Sequence, residues 1–516
     1  MQNLIPPPPD ISYWDASPAL RKLLSAALSP RDLAWAEPRF REMGALAASV
    51  VAPLAAVADR ESPRLLTHDP AGERINQIEY HPAYREMEGI AYGSGMVSMK
   101  YDATVLEQHG SSIHTVGFAL GYLFAMAEMG LYCPLCMTDG VARIVSRWGT
   151  PEQAARVVPR MGATDAKQRW TGAMFVTERA GGSDVGSNET VATRGPDGGW
   201  SLTGKKWFCS NVDAQAVLVT ARPEGEPAGT SGLRTFLIHP RETSSVSIDR
   251  IKDKLGVRSM PTGEVTLEGA PAEEVGPFPA MLEMMNLSRI YNAVASVAVI
   301  GRAIHEAKWY DERRVAFGKK VVQHPLAAEI LADLEAEHLA ALHLTFHAVR
   351  TLDRADGGDA EASREIRILV PVVKAITGKL AVPCVSEAME LIGGNAYIEE
   401  SPLPRLLRDA QVLPIWEGTT NVLVLDALRV AMKHGSHRIL IERVRRHFGE
   451  EAAELEAGFA AIEERGARHW IDRLARSLQL ALLAEAGEHR AVERLRRRPL
   501  GLAPGAGAPG LRETVS

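Results

Sequence analysis

The sequence predicts an α+β fold in which a helical region, a β-domain and a second helical region follow one another, with a helical appendix behind them. Three observations carry this. Apolar residues recur at three- and four-residue intervals on both sides of the chain's middle. Short alternating runs broken by Gly, Asp, Asn and Pro fill the stretch between Trp170 and Leu267. Beyond residue 432 the charge balance changes sign.

A chain of 516 residues, 46% hydrophobic and 24% charged, is longer than one hydrophobic core organises, so several domains are expected. Residues 1–60 open with Pro6 to Pro9, an extended arm that feeds an Ala-rich first helix. Residues 61–169 form a helical domain, with Val116, Leu120, Leu123 and Met126 at helical spacing. Residues 170–278 form the β-domain. Its strands include Ala214 to Ala221 and Leu233 to His239, and Pro196-Asp-Gly-Gly199 has the chemistry of a hairpin turn.

Residues 279–432 return to the helical period, with long helices over Arg289 to Phe317, His324 to Asp353 and Arg364 to Ile392; Gly357-Gly358-Asp359 is the loop between the last two. Residues 433–516 carry 15 Lys and Arg against 12 Asp and Glu, whereas the remainder carries 43 against 52. That predicts a separate helical module ending in a disordered Gly/Pro/Ala tail.

The formal charge is -6 and no uninterrupted apolar run reaches the length of a membrane span, so no membrane partner is expected. The proline-rich start lacks the basic and apolar regions of a secretory signal, which makes the cytoplasm the expected location. Four scattered cysteines fit a reducing compartment. Cys133 and Cys136 match C-x-x-C without a second pair, so they are expected to pack and not to hold a metal.

Four motifs carry chemistry. Met174-Phe-Val-Thr-Glu-Arg-Ala-Gly-Gly-Ser183 is a polar, glycine-bearing turn that allows a flat or anionic ligand close to the backbone; Thr177 and Ser183 add hydroxyls. Lys205 to Asn211 is strand-like and places Trp207 and Phe208 on opposite faces, one of them free to cover a cofactor. Arg314 in Arg313-Arg-Val-Ala-Phe-Gly318 can offer a planar fork to a diphosphate. In the fourth motif, Gly393 and Gly394 end a helix, and Glu417 follows Trp416 in an apolar stretch. A partly desolvated acid of that kind suits a base that removes a weakly acidic C–H proton.

Taken together, V-T-E-x-x-x-G-S-D, R-x-x-F-G, G-G-N-x-Y, R-x-x-R-D and I-W-E-G-T occur in the order of the acyl-CoA dehydrogenase family, which the chain resembles over roughly residues 60 to 432. The 23-residue interval from Gly394 to Glu417 also fits the family's spacing. The resemblance implies an N-terminal helical domain, a middle β-barrel domain, a C-terminal four-helix bundle, and FAD as cofactor. It implies Glu417 as catalytic base. Met174, Phe175, Val176, Thr177, Gly182, Ser183, Phe208, Cys209 and Ser210 would surround the flavin ring and ribityl chain. Arg314, Phe317, Glu390, Gly393 and Gly394 would hold the pyrophosphate and adenosine of a neighbouring subunit's FAD in a homotetramer, and Thr419, Thr420 and Asn421 would touch FAD beside the base. Ser183, Arg289, Trp416 and Gly418 would meet the substrate, an acyl-CoA or related thioester, with a flavoprotein or oxygen as electron acceptor.

The chain departs from the family at Asn286, where an Asp is common, and at Pro325, where a glutamine is expected and Gln323 stands two residues earlier. These departures, with His68-Asp-Pro-Ala-Gly, His81-Pro-Ala-Tyr and the Arg-bearing extension, look like the AidB-like branch of adaptive-response flavoproteins. That branch implies an alternative: a DNA-binding flavoprotein with weak dehydrogenase activity, contacting phosphates through Arg443 to Arg446 and Arg494 to Arg498.

Overall fold

β-branched and apolar residues alternating over short runs pair into sheet wherever turn residues separate them. The computed structural model, which describes residues 11–497, shows this most clearly in the middle of the chain. The arm at Pro6 to Pro9, Arg498 and the C-terminal tail lie outside the described residues. The rest groups into two compact units that interleave along the sequence.

One unit holds Leu46–Ile113 and Ala127–Tyr291. Its first strands, β1 (Arg64–His68) and β2 (Arg74–Glu79), form an antiparallel hairpin. The strands β3 (Gly172–Phe175), β4 (Val191–Arg194), β5 (Trp200–Ser210), β6 (Ala216–Pro223), β7 (Arg234–Ile238), β8 (Val246–Ile251) and β9 (Thr262–Pro277) build the sheet. Pairings run β6–β4–β5–β9–β7 and return from β7 to β6, closing a ring; β3 shares an edge of β6 with β4, and β8 lies on β9. Closure removes the unpaired edges that an open sheet would expose. Phe175, Leu202, Val217, Val219, Phe236, Val265 and Leu267 fill the core. The expected hairpin is present, with β4 antiparallel to β5 and Gly198 supplying a φ of 84° at the turn.

Helices Pro82–Gly93, Tyr132–Trp148 and Pro151–Met161 belong to the same unit. Helix Pro151–Met161 begins with a reciprocal Thr150/Gln153 capping box. Cys136 is buried on helix Tyr132–Trp148 and Cys133 is half-buried one turn earlier. Asp139 on that helix bonds Lys100 at 2.5 Å and the hydroxyls of Tyr101 and Tyr291 at 2.7 Å. Burial opposes its charge, but these donors win and hold its carboxyl below the usual range.

The other unit contains residues 11–45, His114–Met126, and the described residues from Asn292 to 497. Four helices, Phe278–Asp311 (from Asn292), Pro325–Asp356, Ala360–Ile392 and Thr420–His434, share one apolar core through Ala293, Leu344, Ile368 and Leu428. Asp359 caps the third by accepting from the N–H groups of Glu361 and Ala362. Helix Ile113–Ala125 is apolar all round, and from His114 on every residue is buried. Asp353 accepts from the N–H groups of His114 and Thr115 and so satisfies that helix's start.

The appendix helices His437–Arg445, Gly449–Ala460 and Ala467–Glu485 insert Leu440, Leu455, Trp470 and Leu474 into the bundle's own core. The segment is therefore a second layer on the bundle and not a separate module; its apolar stripe outweighs its charge. Helices Pro30–Arg60 and Ala360–Tyr397 are long and apolar enough by composition to cross a membrane, yet 78% of the latter's most apolar window is buried inside the chain, as a core helix requires.

Candidate active site

The turn after β3 is built around one carboxylate. Glu178 accepts from Thr190 Oγ1 at 2.5 Å, from Glu189 N at 2.6 Å and from Lys206 Nζ at 2.6 Å, and both ionic side chains are buried. Burial disfavours its charge, but the ammonium and the other donors hold the Glu178 carboxyl below the ordinary range. Lys206 also donates to the Thr220 carbonyl at 2.7 Å, tying the turn to β6. Gly181 is obligatory, because a Cβ there would lie 2.2 Å from the Asp184 carbonyl. The result is a rigid turn that leaves Gly182 and Ser183 exposed and Met174 and Thr177 partly so.

The other expected ligand contacts of this wall divide. Phe175 and Cys209 point their side chains into the barrel core and Val176 is buried, so a ligand can meet them only through their backbone. Phe208 is 55% exposed and Ser210 half-buried. The expectation that Trp207 and Phe208 face opposite ways is corrected. A bulge between Lys206 and Cys209 breaks the alternation, and Lys252 Nζ lies 3.6 Å from the Trp207 ring centre and 4.9 Å from that of Phe208.

In the other unit, Glu417 sits in the turn between helices Leu403–Ala410 and Thr420–His434. Its φ is +56°, followed by +104° at Gly418. A left-handed conformation costs a side-chain-bearing residue roughly 1–2 kcal/mol, so the surroundings must hold it. They do so from both ends. Asn292 Nδ2 donates to the Leu413 carbonyl at 3.2 Å, and the buried Lys374 Nζ donates to the Gly418 carbonyl at 2.6 Å. Gly378, one turn from Lys374, permits the close approach: a Cβ there would lie 2.9 Å from Leu413 O. Sequence reasoning missed Lys374, Gly378 and Asn292. The interval of four between Lys374 and Gly378 inside an apolar helix was the available signal.

Five residues other than glycine have positive φ among the described residues: Asn76, Asn211, Val257, Phe317 and Glu417. Three of these lie in the motifs singled out above. Phe317 is 98% exposed on the hairpin β10 (Val315–Ala316) and β11 (Lys319–Lys320). Arg314 is half-buried at the hairpin's base, and Gln323 accepts from Lys320 N at 3.0 Å, so the displaced glutamine serves its own turn. Glu390, Gly393 and Gly394 are exposed, and a Cβ on either glycine would meet nothing within 4 Å. Tyr397 beside them is 81% exposed.

Thr419 is exposed at the N-cap of helix Thr420–His434, without a side-chain cap bond. Thr420, Trp416 and Gly418 are half-buried, and Asn421 is exposed. Arg289 is buried and donates to Asn286 Oδ1 at 2.9 Å, so the departure from Asp preserves a bond within the helix.

The chain is similar to known proteins over most of its length. The "Acyl-CoA dehydrogenase, C-terminal domain" matches residues 278–432, the "Acyl-CoA dehydrogenase, middle domain" residues 173–270, and the "Adaptive response protein AidB N-terminal domain" residues 3–166. "Acyl-CoA dehydrogenase family member 11" of Caenorhabditis elegans is 37% identical over 77% of this chain, and the match spans 66% of that relative's length. "Putative acyl-CoA dehydrogenase AidB" of Escherichia coli (strain K12) is 31% identical over 84% of this chain and 78% of its own. The crystal structure of Caenorhabditis elegans ACDH-11 in complex with C11-CoA superposes with a TM-score of 0.89 at 30% identity, covering 97% of this chain and 94% of that one. The chain belongs to the acyl-CoA dehydrogenase family of flavoprotein oxidoreductases, in its AidB-like branch.

Proposed function

We propose that the protein is an FAD-dependent acyl-CoA dehydrogenase in which Glu417 takes the α proton of an acyl thioester as the β hydride departs to the flavin, leaving an α,β double bond. The observation that carries this is Glu417 itself: a carboxylate held left-handed by Asn292, Gly378 and Lys374. Nothing in the local sequence favours that conformation, and residues kept in it at a cost cluster where chemistry is done.

The residues present fit FAD. Gly182, Gly393 and Gly394 leave backbone open to a close ligand, and the helix start at Thr419 lacks a side-chain cap and so offers amide donors to an anion. Bound FAD supplies the two-electron acceptor. Met174, Thr177, Ser183 and the backbone of Phe208 to Ser210 would line the flavin, and Thr419 to Asn421 would touch it beside the base. Arg314, Phe317, Glu390 and the two glycines would serve the FAD of a neighbouring copy, which accounts for a phenylalanine left almost fully exposed. This reading carries with it a homotetramer and a flavoprotein or oxygen as electron acceptor.

Ser183, Arg289, Trp416 and Gly418 are assigned to the thioester, whose carbonyl must accept a backbone N–H beside Glu417 as negative charge develops on it. The relative solved with C11-CoA supports a CoA thioester as the substrate class.

Anaerobic mixing of the purified yellow protein with straight and branched acyl-CoA thioesters should bleach the flavin. Glu417→Gln should keep its flavin and lose that bleaching; a variant that still reduces shows another base at work. Protein that is colourless and takes up no flavin would end the proposal.

A further inference from the structure

We infer that Lys374 is the positioning residue of the proposed base: its ammonium, inside helix Ala360–Ile392, fixes the peptide that follows Glu417. This rests on the reading of Glu417 as base.

The side chain is fully buried among the bundle's apolar residues, where a lysine is costly unless it is bonded. Its described bond, 2.6 Å to the Gly418 carbonyl, is charge-assisted and spans 44 residues of sequence. The acceptor belongs to the left-handed pair Glu417 and Gly418, the part of the turn that local preference resists. A peptide is planar and trans, so drawing the Gly418 carbonyl toward the helix sends the Thr419 N–H the opposite way and sets where helix Thr420–His434 begins. Gly378, four residues on and on the same helix face, receives Leu413 at the other end of the turn. One face of one helix therefore holds both ends of the segment that presents Glu417.

An apolar residue such as leucine would fill the same volume at lower cost, which leaves stability a poor account of a lysine here. One consequence follows for a base: the carboxylate stays where the proton must be taken.

The test compares Lys374→Met, which removes charge and bond, with Lys374→Gln, which restores a neutral donor, both as flavin-loaded full-length protein. Lys374→Met should lower kcat by about 10- to 100-fold, with KM changed far less. Amide exchange at residues 411–419 should quicken while flavin content holds. Lys374→Gln should recover part of kcat and of the exchange protection. In a Glu417→Gln background, Lys374→Met should cost nothing further.

An unchanged kcat and unchanged loop exchange in both variants overturn the inference. So does a loss of activity that tracks flavin loss and a lowered Tm equally in both, since that marks a packing role. Failure of the base reading is distinct: it appears as turnover retained by Glu417→Gln alone, whatever Lys374 does.

Discussion

The barrel and the bundle each carry residues singled out in the sequence, and they hold them differently. In the barrel a closed ring of strands fixes the backbone first, and the buried Glu178–Lys206 pair then locks the turn after β3 within a region dense in hydrogen bonds. In the bundle the turn at Glu417 lies outside any strand ladder and is held by short-range backbone bonds, such as Trp416 N to the Val412 carbonyl at 2.9 Å, together with contacts from Asn292, Lys374 and Gly378. The difference teaches that the barrel wall should tolerate many changes and fail completely at one, whereas the turn should fail by degrees at several.

Lys206→Met is the largest break. It leaves the buried Glu178 carboxylate with its ammonium removed, a loss of about 3–5 kcal/mol for a pair this deeply enclosed. The expected result is a lowered Tm and loss of flavin together. A variant that keeps both would show that the backbone ring alone secures the wall.

How much of this was legible depends on distance along the chain. The turn after β3, the hairpin at Gly198 and the helix end at Gly393 are local, and their residue types announce them. The supports of Glu417 come from 39 to 125 residues earlier; neither Lys374 in an apolar helix nor Asn292 among alanines and valines carries a local signal that names its partner. The opposite faces assigned to Trp207 and Phe208 failed for a related reason: the bulge is set by pairing with β9, not by β5 itself. The appendix was read as a separate module because its charge stands out, while its apolar stripe, which decides the packing, does not.

Gly378→Ala tests the bundle's mode of support. The added methyl meets Leu413 O at 2.9 Å, and overpacking of that kind costs about 1–3 kcal/mol. The turn should shift, so kcat should fall more than Tm does. A variant with a normal kcat would mean the turn is held without that close approach.

Asp311 sharpens the contrast, being a buried carboxylate in the bundle's unit with no hydrogen-bond partner for either oxygen among the described residues. Burial pushes its carboxyl from an ordinary 3.8 up to about 7. A raised folded value means the folded state holds the proton where the unfolded chain has released it. This contribution to stability is full below the unfolded value and is lost as pH rises through about 7. Asp311→Asn should therefore stabilise the protein at pH 8 by an amount on the order of 1 kcal/mol, read as a raised Tm, and should do less at pH 5. An equal effect at both values would mean the carboxylate ionises freely.

The smallest effects belong to the arginines of the appendix, which the DNA-binding alternative needs for phosphate. Arg443 lies 2.8 Å from Glu485, Arg445 2.7 Å from Glu456, Arg494 2.6 Å from Asp333 and Arg496 2.8 Å from Glu451. These exposed or partly exposed pairs contribute at most about 1 kcal/mol each to stability. They do set a requirement, since a phosphate must displace a carboxylate already in place, and counterion release then contributes less than a solvated arginine would give. Arg494→Ala should accordingly lower Tm only slightly and leave duplex binding, measured across a salt series, unchanged. A salt slope that falls by about one on that substitution would place Arg494 on a phosphate and shift the weight toward nucleic acid.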